Sequence, residues 1–376
     1  MFKTKIHTTL TPDLYQQLIL VGEKSDTFSF FQSPVYFDLV EHIPNYNPIL
    51  ITAENDDREI IGSLLAIRIS EKKGLKSKLS ERIIVFGGSV TREERRERGE
   101  GREETESEVF KALLDGLNEV IGKVVLFTQF RNFYDTSSLK EIYAANGFIF
   151  RPRANLVVDC QDREKVWKGM SENRRRQLRR MGVEQDKRQK AKGKSGGSAF
   201  SSLPSPFFHT EAQSIDEVKS LYSILQDLYR HKVRKPLPPF EFFKYFFEKI
   251  HGTEWGKIFV VKYKDAVVGG IVCPITPGKT IYEMYICGKD KELKDKGVYP
   301  SVLATWAGIE YAIENNIPHF DFMGMGIPGR QYGVRDFKMR FGGRVVKYGR
   351  WTKINNPFLY HVAEFGYNVM AVLKRV

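Results

Sequence analysis

One order of secondary-structure patterns runs through this sequence twice, and that repetition limits the fold more than any single motif does. In the first half, an apolar helical stripe over residues 30–40 leads to a strand pattern at 49–53. A polar turn, Asn55-Asp56-Asp57, precedes a second strand at 59–69, and a third at 82–86 closes on Gly87-Gly88. A helix over 107–121, a strand at 124–127, a helix over 138–146 and a strand at 148–159 complete the set. The second half repeats it, with an aromatic-rich helix at 240–250 and strands at 257–263, 266–275 and 280–287. Then come a helix over 299–315, a strand at 319–323, a helix over 334–340 and a strand at 344–351. The residues echo as well: Asp57-Arg58-Glu59-Ile60-Ile61-Gly62 answers Lys264-Asp265-Ala266-Val267-Val268-Gly269.

A repeat of this kind implies two copies of one supersecondary unit. The expected fold is α/β, of the α+β kind, with each copy a mixed, mostly antiparallel sheet flanked by helices. The chain has 376 residues, 41% of them hydrophobic, which is enough to build two cores. The expected domains are residues 1–158 and 159–351, followed by a C-terminal helix in 352–376 that packs back on the first domain. Residues 91–106 are nearly all Arg, Glu and Gly and read as a solvated loop. Residues 184–206 read as a flexible basic insert, rich in Lys, Gly and Ser.

The formal net charge of +13 fits either anionic partners (nucleic acid, lipid headgroups or phosphorylated substrates) or simply a basic soluble protein. Cys160, Cys273 and Cys287 are too few and too scattered for a disulfide framework or a zinc site, and Cys273 and Cys287 read as buried small hydrophobes. The seven histidines form no His-x-x-x-His pair, so no metal is expected. No Gly-x-Ser-x-Gly elbow is present, and covalent catalysis has no support. The N-terminal residues carry no apolar signal core, and no stretch reaches the roughly 18 apolar residues of a membrane span. A cytoplasmic protein is expected. The stripe Phe358, Val362, Phe365, Val369 and Val372 offers one route to the inner face of a membrane.

Gly324-Met325-Gly326-Ile327-Pro328-Gly329 matches the dinucleotide fingerprint after a strand. However, Pro328 sits inside the turn, the next helix starts late, and no acidic residue closes a strand about 20 residues on. What remains is a glycine loop that lets backbone approach a ligand, or a tight turn needing positive φ. Gly297-Val298-Tyr299-Pro300-Ser301 marks a helix start, whose free amides attract phosphate or a developing oxyanion. In Tyr332 to Gly343, Lys338 lies one turn from Arg335 among aromatics; on spacing alone this is a cationic helix surface with Asp336 paired to Arg340. Arg174, Arg175, Arg176, Arg179 and Arg180 make the most basic part of the chain, either a nucleic-acid or headgroup contact or a solvated helix face.

Together these residues resemble the Fem family of peptidoglycan bridge aminoacyltransferases, within the GNAT-like acyltransferase superfamily. The text that carries the resemblance is Tyr299-Pro300-Ser301 through Trp306 and Ala312, then Phe320-Asp321-Phe322-Met323-Gly324, then Phe337-Lys338-Met339-Arg340-Phe341-Gly342-Gly343. Asn155-Leu156-Val157-Val158-Asp159, Trp167, Met170 and the run Asn173 to Arg180 match upstream, and Phe31-Gln32-Ser33 more loosely. The resemblance implies two tandem GNAT-like domains and transfer of an amino acid from aminoacyl-tRNA to an amine of a peptidoglycan precursor, lipid-linked or nucleotide-linked. No cofactor is implied beyond the acyl donor itself.

By the same resemblance, Lys338 contacts an oxyanion or phosphate, and Asp321 orients the amine or takes its proton; at the end of a Phe-Asp-Phe strand Asp321 equally reads as a structural hydrogen bonder. Tyr299, Ser301, Gly324, Gly326, Tyr332, Arg335 and Phe341 line the substrate. Arg131, Arg151 and Arg153 stand in for the cation that relatives use on the precursor's phosphate, and the basic run contacts tRNA. Two alternatives stand beside this. One is an acyl-CoA- or acyl-carrier-dependent N-acyltransferase of polysaccharide or lipid metabolism, against which residues 289–297 lack the Arg-x-x-Gly-x-Gly/Ala pattern of ordinary GNAT enzymes. The other is a non-catalytic RNA- or membrane-binding protein on the same fold.

Overall fold

Near-continuous apolar runs in the central strands, buried on both faces, with turns rich in Gly, Asn and Asp between them, produce two eight-stranded sheets among the described residues. The structure, a computed structural model, describes residues 2–70, 80–92, 102–122, 124–183, 207–233, 235–329 and 333–362. The expected basic insert and most of the C-terminal helix lie outside them. The chain divides into two compact units, residues 1–153 with 347–376, and residues 154–346.

In the first unit, β1 (Lys3–His7), β2 (Tyr46–Glu54), β3 (Ile60–Ile69) and β4 (Arg82–Phe86) pair antiparallel in order, with β5 (Val90–Thr91) against β3. β6 (Phe127–Arg131) then runs parallel to β4, and the helix Arg102–Val120 makes the crossover that such a pair requires. The next place is filled from far along the chain: β16 (Arg350–Ile354) lies between β6 and β7 (Ile149–Arg151), antiparallel to both.

The second unit has the same plan. β9 (Phe207–Glu211), β10 (Gly256–Tyr263) and β11 (Ala266–Thr276) pair antiparallel. β12 (Thr280–Tyr282) and β13 (Tyr285–Gly288) both pair with β11, interrupted at Glu283-Met284. β14 (His319–Asp321) runs parallel to β12 after the crossover helix Pro300–Glu314. β8 (Asn155–Asp159) lies between β14 and β15 (Arg344–Val346).

The repeat of element order is therefore a repeat of sheet topology, but the expected strands at 148–159 and 344–351 are each two strands. Pro152 cannot donate to a ladder, and Gly349, at φ 67°, turns the chain. In each case the first half stays with its own unit and the second half joins the other sheet. The boundaries accordingly fall at 153/154 and 346/347 rather than 158/159 and 351/352. The C-terminal segment follows β16: Asn355 N–H donates to Leu126 O at 3.0 Å, and Tyr360 meets Phe127 with ring centroids 6.2 Å apart. Sequence patterns missed β1, β9 and the helices Pro12–Glu23 and Ile215–Leu228, and placed β6 about one turn early.

Each unit packs helices on its sheet. In the first, Tyr143 stacks on Trp351 at 4.6 Å and 6°, beside Phe110 and Phe130, and Trp351 Nε1 donates to Thr136 Oγ1 at 3.1 Å. In the second, the helix Pro300–Glu314 buries Val302, Trp306 and Ile309 of its expected stripe against the sheet, and Ile313 only in part. Cys273 and Cys287 are buried on paired strands, and burial pushes both thiols up. His251 ties β10 down: its Nδ1 accepts the Ile258 N–H at 3.0 Å, which leaves Nε2–H to donate to Ala212 O at 2.9 Å.

Trp351 holds β16 into a core built from the other end of the chain. Trp351→Ala is expected to cost about 3–5 kcal/mol, read as a lowered urea midpoint at constant m. Burial, aided by Lys257, lowers the His251 pKa from 6.5. Its contribution is thus fully present above the unfolded pKa and lost as pH falls through the folded one. In His251→Gln the stability profile below pH 6.5 should be flatter by up to one proton's slope, about 1.4 kcal/mol per pH unit.

Candidate active site

β14 ends on Asp321-Phe322, and the chain then turns sharply, with Met323 at φ 54°, Gly324 at 119° and Gly326 at 83°. A β-branched or bulky residue is strained at such angles, so the loop needs outside support. Three side chains supply it. Asn155 Nδ2 donates to both carboxylate oxygens of Asp321, at 2.7 and 2.9 Å, and Asn155 Oδ1 accepts the Gly324 N–H at 2.6 Å. Asp321 Oδ1 also accepts the Met323 N–H at 2.5 Å. Lys338 Nζ donates to Phe322 O at 2.5 Å and Gly324 O at 3.1 Å, and lies 3.2 Å from Glu283 Oε1. Glu283 reaches in from the break between β12 and β13, and its Oε2 accepts the Thr305 hydroxyl at 2.9 Å.

An ammonium has three protons, and three oxygens surround this one. Lys338 is thus engaged within the protein, and contact with a reacting oxygen would displace one of those partners. Both acids of the cluster are buried. Burial pushes the Glu283 carboxyl above its ordinary value, against the pull of Lys338 and Thr305. It does the same to Asp321, against Asn155, the Met323 amide and Lys338. The outer side of the loop is different: a Cβ at Gly324 would meet nothing within 4 Å, so a ligand has room against its backbone.

Other expected residues divide. Phe341 is buried, packed between Phe322 and Phe337, and is core rather than substrate lining. Gly342 and Gly343 follow because Cβ atoms there would lie 2.6 Å from Gly169 O and 2.5 Å from Val157 O. Arg174 is also taken out of the proposed nucleic-acid surface. It is buried over the Phe337 and Phe341 rings, donates to Phe337 O at 2.8 Å, and is pushed down to about 10, chiefly by burial. A guanidinium held there cannot reach a polyanion. Arg175 is half-buried and pairs with Glu172 at 2.7 Å, whereas Arg176, Arg179 and Arg180 are exposed. Arg335 is half-buried, with one terminal nitrogen lacking a partner, and the expected Asp336–Arg340 ion pair is absent among the described residues. Tyr332 lies outside the described residues. Gly326 O accepts the Ala154 N–H.

Tyr299, half-buried, is the N-cap of the helix Pro300–Glu314, without a side-chain cap bond of its own. The cap comes from elsewhere: Ser301 N–H donates to Asp290 Oδ1 at 3.1 Å. Val302 and Leu303 N–H both reach back to Tyr299 O, at 3.0 and 3.2 Å.

In the first unit, strand register builds a second feature. Arg131 on β6, Arg350 on β16 and Arg151 on β7 stand directly opposite one another, with Phe130, Trp351 and Phe150 alternating to the other face. Like charges across strands repel, so the row is a place where an anion is welcome. Arg131 Nε donates to Gln129 Oε1 at 2.9 Å, and no carboxylate among the described residues pairs with Arg350 or Arg153. Burial, then the charge of Arg153, pushes Arg350 down to about 10. Sequence reading found Arg131, Arg151 and Arg153 but not Arg350, because only the register of strands far apart in the chain reveals it. Glu283 and Asn155 were also missed. Glu283 left a signal, a lone carboxylate between Tyr282 and Met284 in an apolar strand.

Lys338→Met strands Glu283 and two carbonyls, and is expected to cost about 3–5 kcal/mol. The folded Glu283 pKa then rises further above 4.5, so stability falls as pH climbs from the unfolded value through the folded one. Chemical denaturation should therefore show a larger deficit at pH 8 than at pH 5, and adding Glu283→Gln should recover part of it.

Comparison with known proteins bears on this geometry. Residues 185–339 match the family described as the acetyltransferase (GNAT) domain. No curated protein sequence matches the chain. Among solved structures, FemX aligns at 12% identity with a TM-score of 0.64, over 95% of this chain and 99% of its own. A tandem GNAT protein from the clavulanic acid biosynthesis pathway aligns at 11% and 0.52, over 94% and 99%. A DUF2156 domain from Agrobacterium fabrum, named as the C-terminal part of a lysylphosphatidylglycerol synthetase, aligns at 11% and 0.51, over 95% and 96%. With two sheets of one topology and these likenesses, the chain has a tandem GNAT-like fold of the kind seen in FemX, and residues 185–339, within its second unit, match the acetyltransferase (GNAT) domain family.

Proposed function

We propose that this chain is a Fem-like aminoacyltransferase that moves an amino acid from aminoacyl-tRNA to an amine of a peptidoglycan precursor, building cell-wall cross-bridges. The observation that carries the reading is the likeness to FemX across both units, nearly complete in each direction, together with the motifs that the sequence shares with that family. The chemistry needs no nucleophile from the enzyme. The acceptor nitrogen attacks the ester carbonyl, an amide forms, the ester C–O bond breaks, and the ribose hydroxyl leaves with a proton. What the protein must supply is position and electrostatic support. The loop 323–326, held from three sides and open at Gly324, suits the first need.

The arginine row of Arg131, Arg350 and Arg151 suits a phosphate of a nucleotide- or lipid-linked precursor. Exposed Arg176, Arg179 and Arg180 suit the tRNA backbone. Among the described residues no helix is long and apolar enough to cross a membrane. The reading places the reaction in the cytoplasm, at the inner face of the membrane when the acceptor is lipid-linked. A second reading, transfer from acyl-CoA, is favoured by the likeness to the tandem GNAT protein of the clavulanic acid pathway.

The test is a transfer assay with labelled aminoacyl-tRNA or labelled acyl-CoA, plus nucleotide-linked precursor. Label should reach the precursor from aminoacyl-tRNA; transfer from acyl-CoA alone would sink the reading. In the same assay Arg350→Gln is expected to raise KM for the precursor about tenfold with a smaller change in kcat, the signature of lost ground-state binding to a charged group.

A further inference from the structure

The head of an α-helix offers free amides to an anion, and the helix Pro300–Glu314 follows directly on a core strand and its short loop. Here the strand beneath is pared to glycine to admit it. A Cβ at Gly288 would lie 2.5 Å from Ser301 N, and one at Gly269 would lie 2.9 Å from Pro300 Cβ. The helix therefore starts directly on the backbone of β11 and β13, with its positive end fixed in place.

None of its amides is left for a ligand. Pro300 has no N–H, Val302 and Leu303 donate to Tyr299 O, and Ser301 donates to the carboxylate of Asp290. Asp290 is half-buried and begins the short helix Asp290–Leu293 that leads out of β13. The following loop turns back at Gly297, φ 72°, with the Val298 N–H on Leu293 O, and this returns the chain to the helix head. Burial pushes the Asp290 carboxyl above its ordinary value, against the Ser301 hydroxyl and amide and the charges of Lys232 and Arg174. The residues present do not fit the diphosphate of a coenzyme A donor: the Asp290 carboxyl already fills the anion position, and no amide of the first turn is free.

We infer that Asp290 is a built-in anion, a carboxylate that occupies the place of a phosphate at the head of this helix and so sets donor specificity by exclusion. A donor anchored there by a diphosphate is rejected through like charge and the lack of a free amide. A donor whose acyl ester is held by contacts elsewhere, such as the aminoacyl end of an RNA, is unaffected. The inference deepens the proposed reading of the chain as an acyltransferase and rests on it for the word donor. The occupancy of the helix head stands on its own.

The test is isothermal titration of the full chain with coenzyme A and, separately, with inorganic pyrophosphate, at low and high salt. The native chain should give no measurable binding of either at millimolar concentration. Asp290→Ala frees the Ser301 amide and removes the charge, and should gain at least tenfold in affinity for one of them, with the gain shrinking at high salt. Asp290→Asn keeps an acceptor for the amide while removing the charge, and decides the matter if the Ala variant fails to fold. Tight coenzyme A binding by the native chain overturns the inference. So does a folded Asp290→Ala, or a folded Asp290→Asn where Ala does not fold, that gains nothing, since Asp290 is then a helix cap only. These are binding readouts, so failure of transfer from aminoacyl-tRNA would remove the proposed function without touching them.

Discussion

Lys338 is the buried ammonium on which the second unit's loop depends. It bonds the carbonyls of Phe322 and Gly324, two residues apart in a turn with positive φ at Met323, Gly324 and Gly326, and it neutralises Glu283 from a strand break. Without such a donor, those carbonyls would be buried and unpaired, and the strained turn would have no reason to keep its shape. Asn155 does the complementary job for the amide side of the same turn. β8, β14, the β12–β13 break and the helix Gly333–Met339 thus converge on one short piece of backbone.

Burying a charge pair is expensive, and the pair stabilises little relative to apolar residues of the same size. Its use is geometric. An apolar replacement would fill the volume but leave the turn's carbonyls free to point elsewhere. A site that works by positioning needs its backbone held to within a fraction of an ångström. That same demand explains why residues the motif singles out are internal. Phe341 and Arg174 stack under the helix that carries Lys338, and Gly342-Gly343 let the chain pass against Gly169 and Val157. The family-like text around Lys338 is a record of how the site is supported more than of what touches the substrate.

The two charged features left outside that support have opposite characters. The arginine row on the first sheet brings three guanidinium groups side by side, whereas the head of the helix Pro300–Glu314 is already capped by Asp290. A chain with a formal charge of +13 has thus closed one common anion site and left another cationic.

Periodicity and order were enough to read two copies of one α/β unit, because strand and helix patterns are local and each copy had to bury its own apolar face. The buried cysteines and most of the apolar stripe Val302, Trp306 and Ile309 were legible for the same reason. Which sheet a strand joins is not local: β8 and β16 look like continuations of their predecessors, and only long-range pairing sends them to the other sheet. Side-chain roles were less legible still. Arg174 and Arg176 are identical in the sequence, yet one is core and the other surface. Asp290 became the cap of a helix eleven residues away, and Arg350 joined a row with Arg131 and Arg151, because hydrogen bonds and register act between residues that the fold, and not the chain order, makes neighbours.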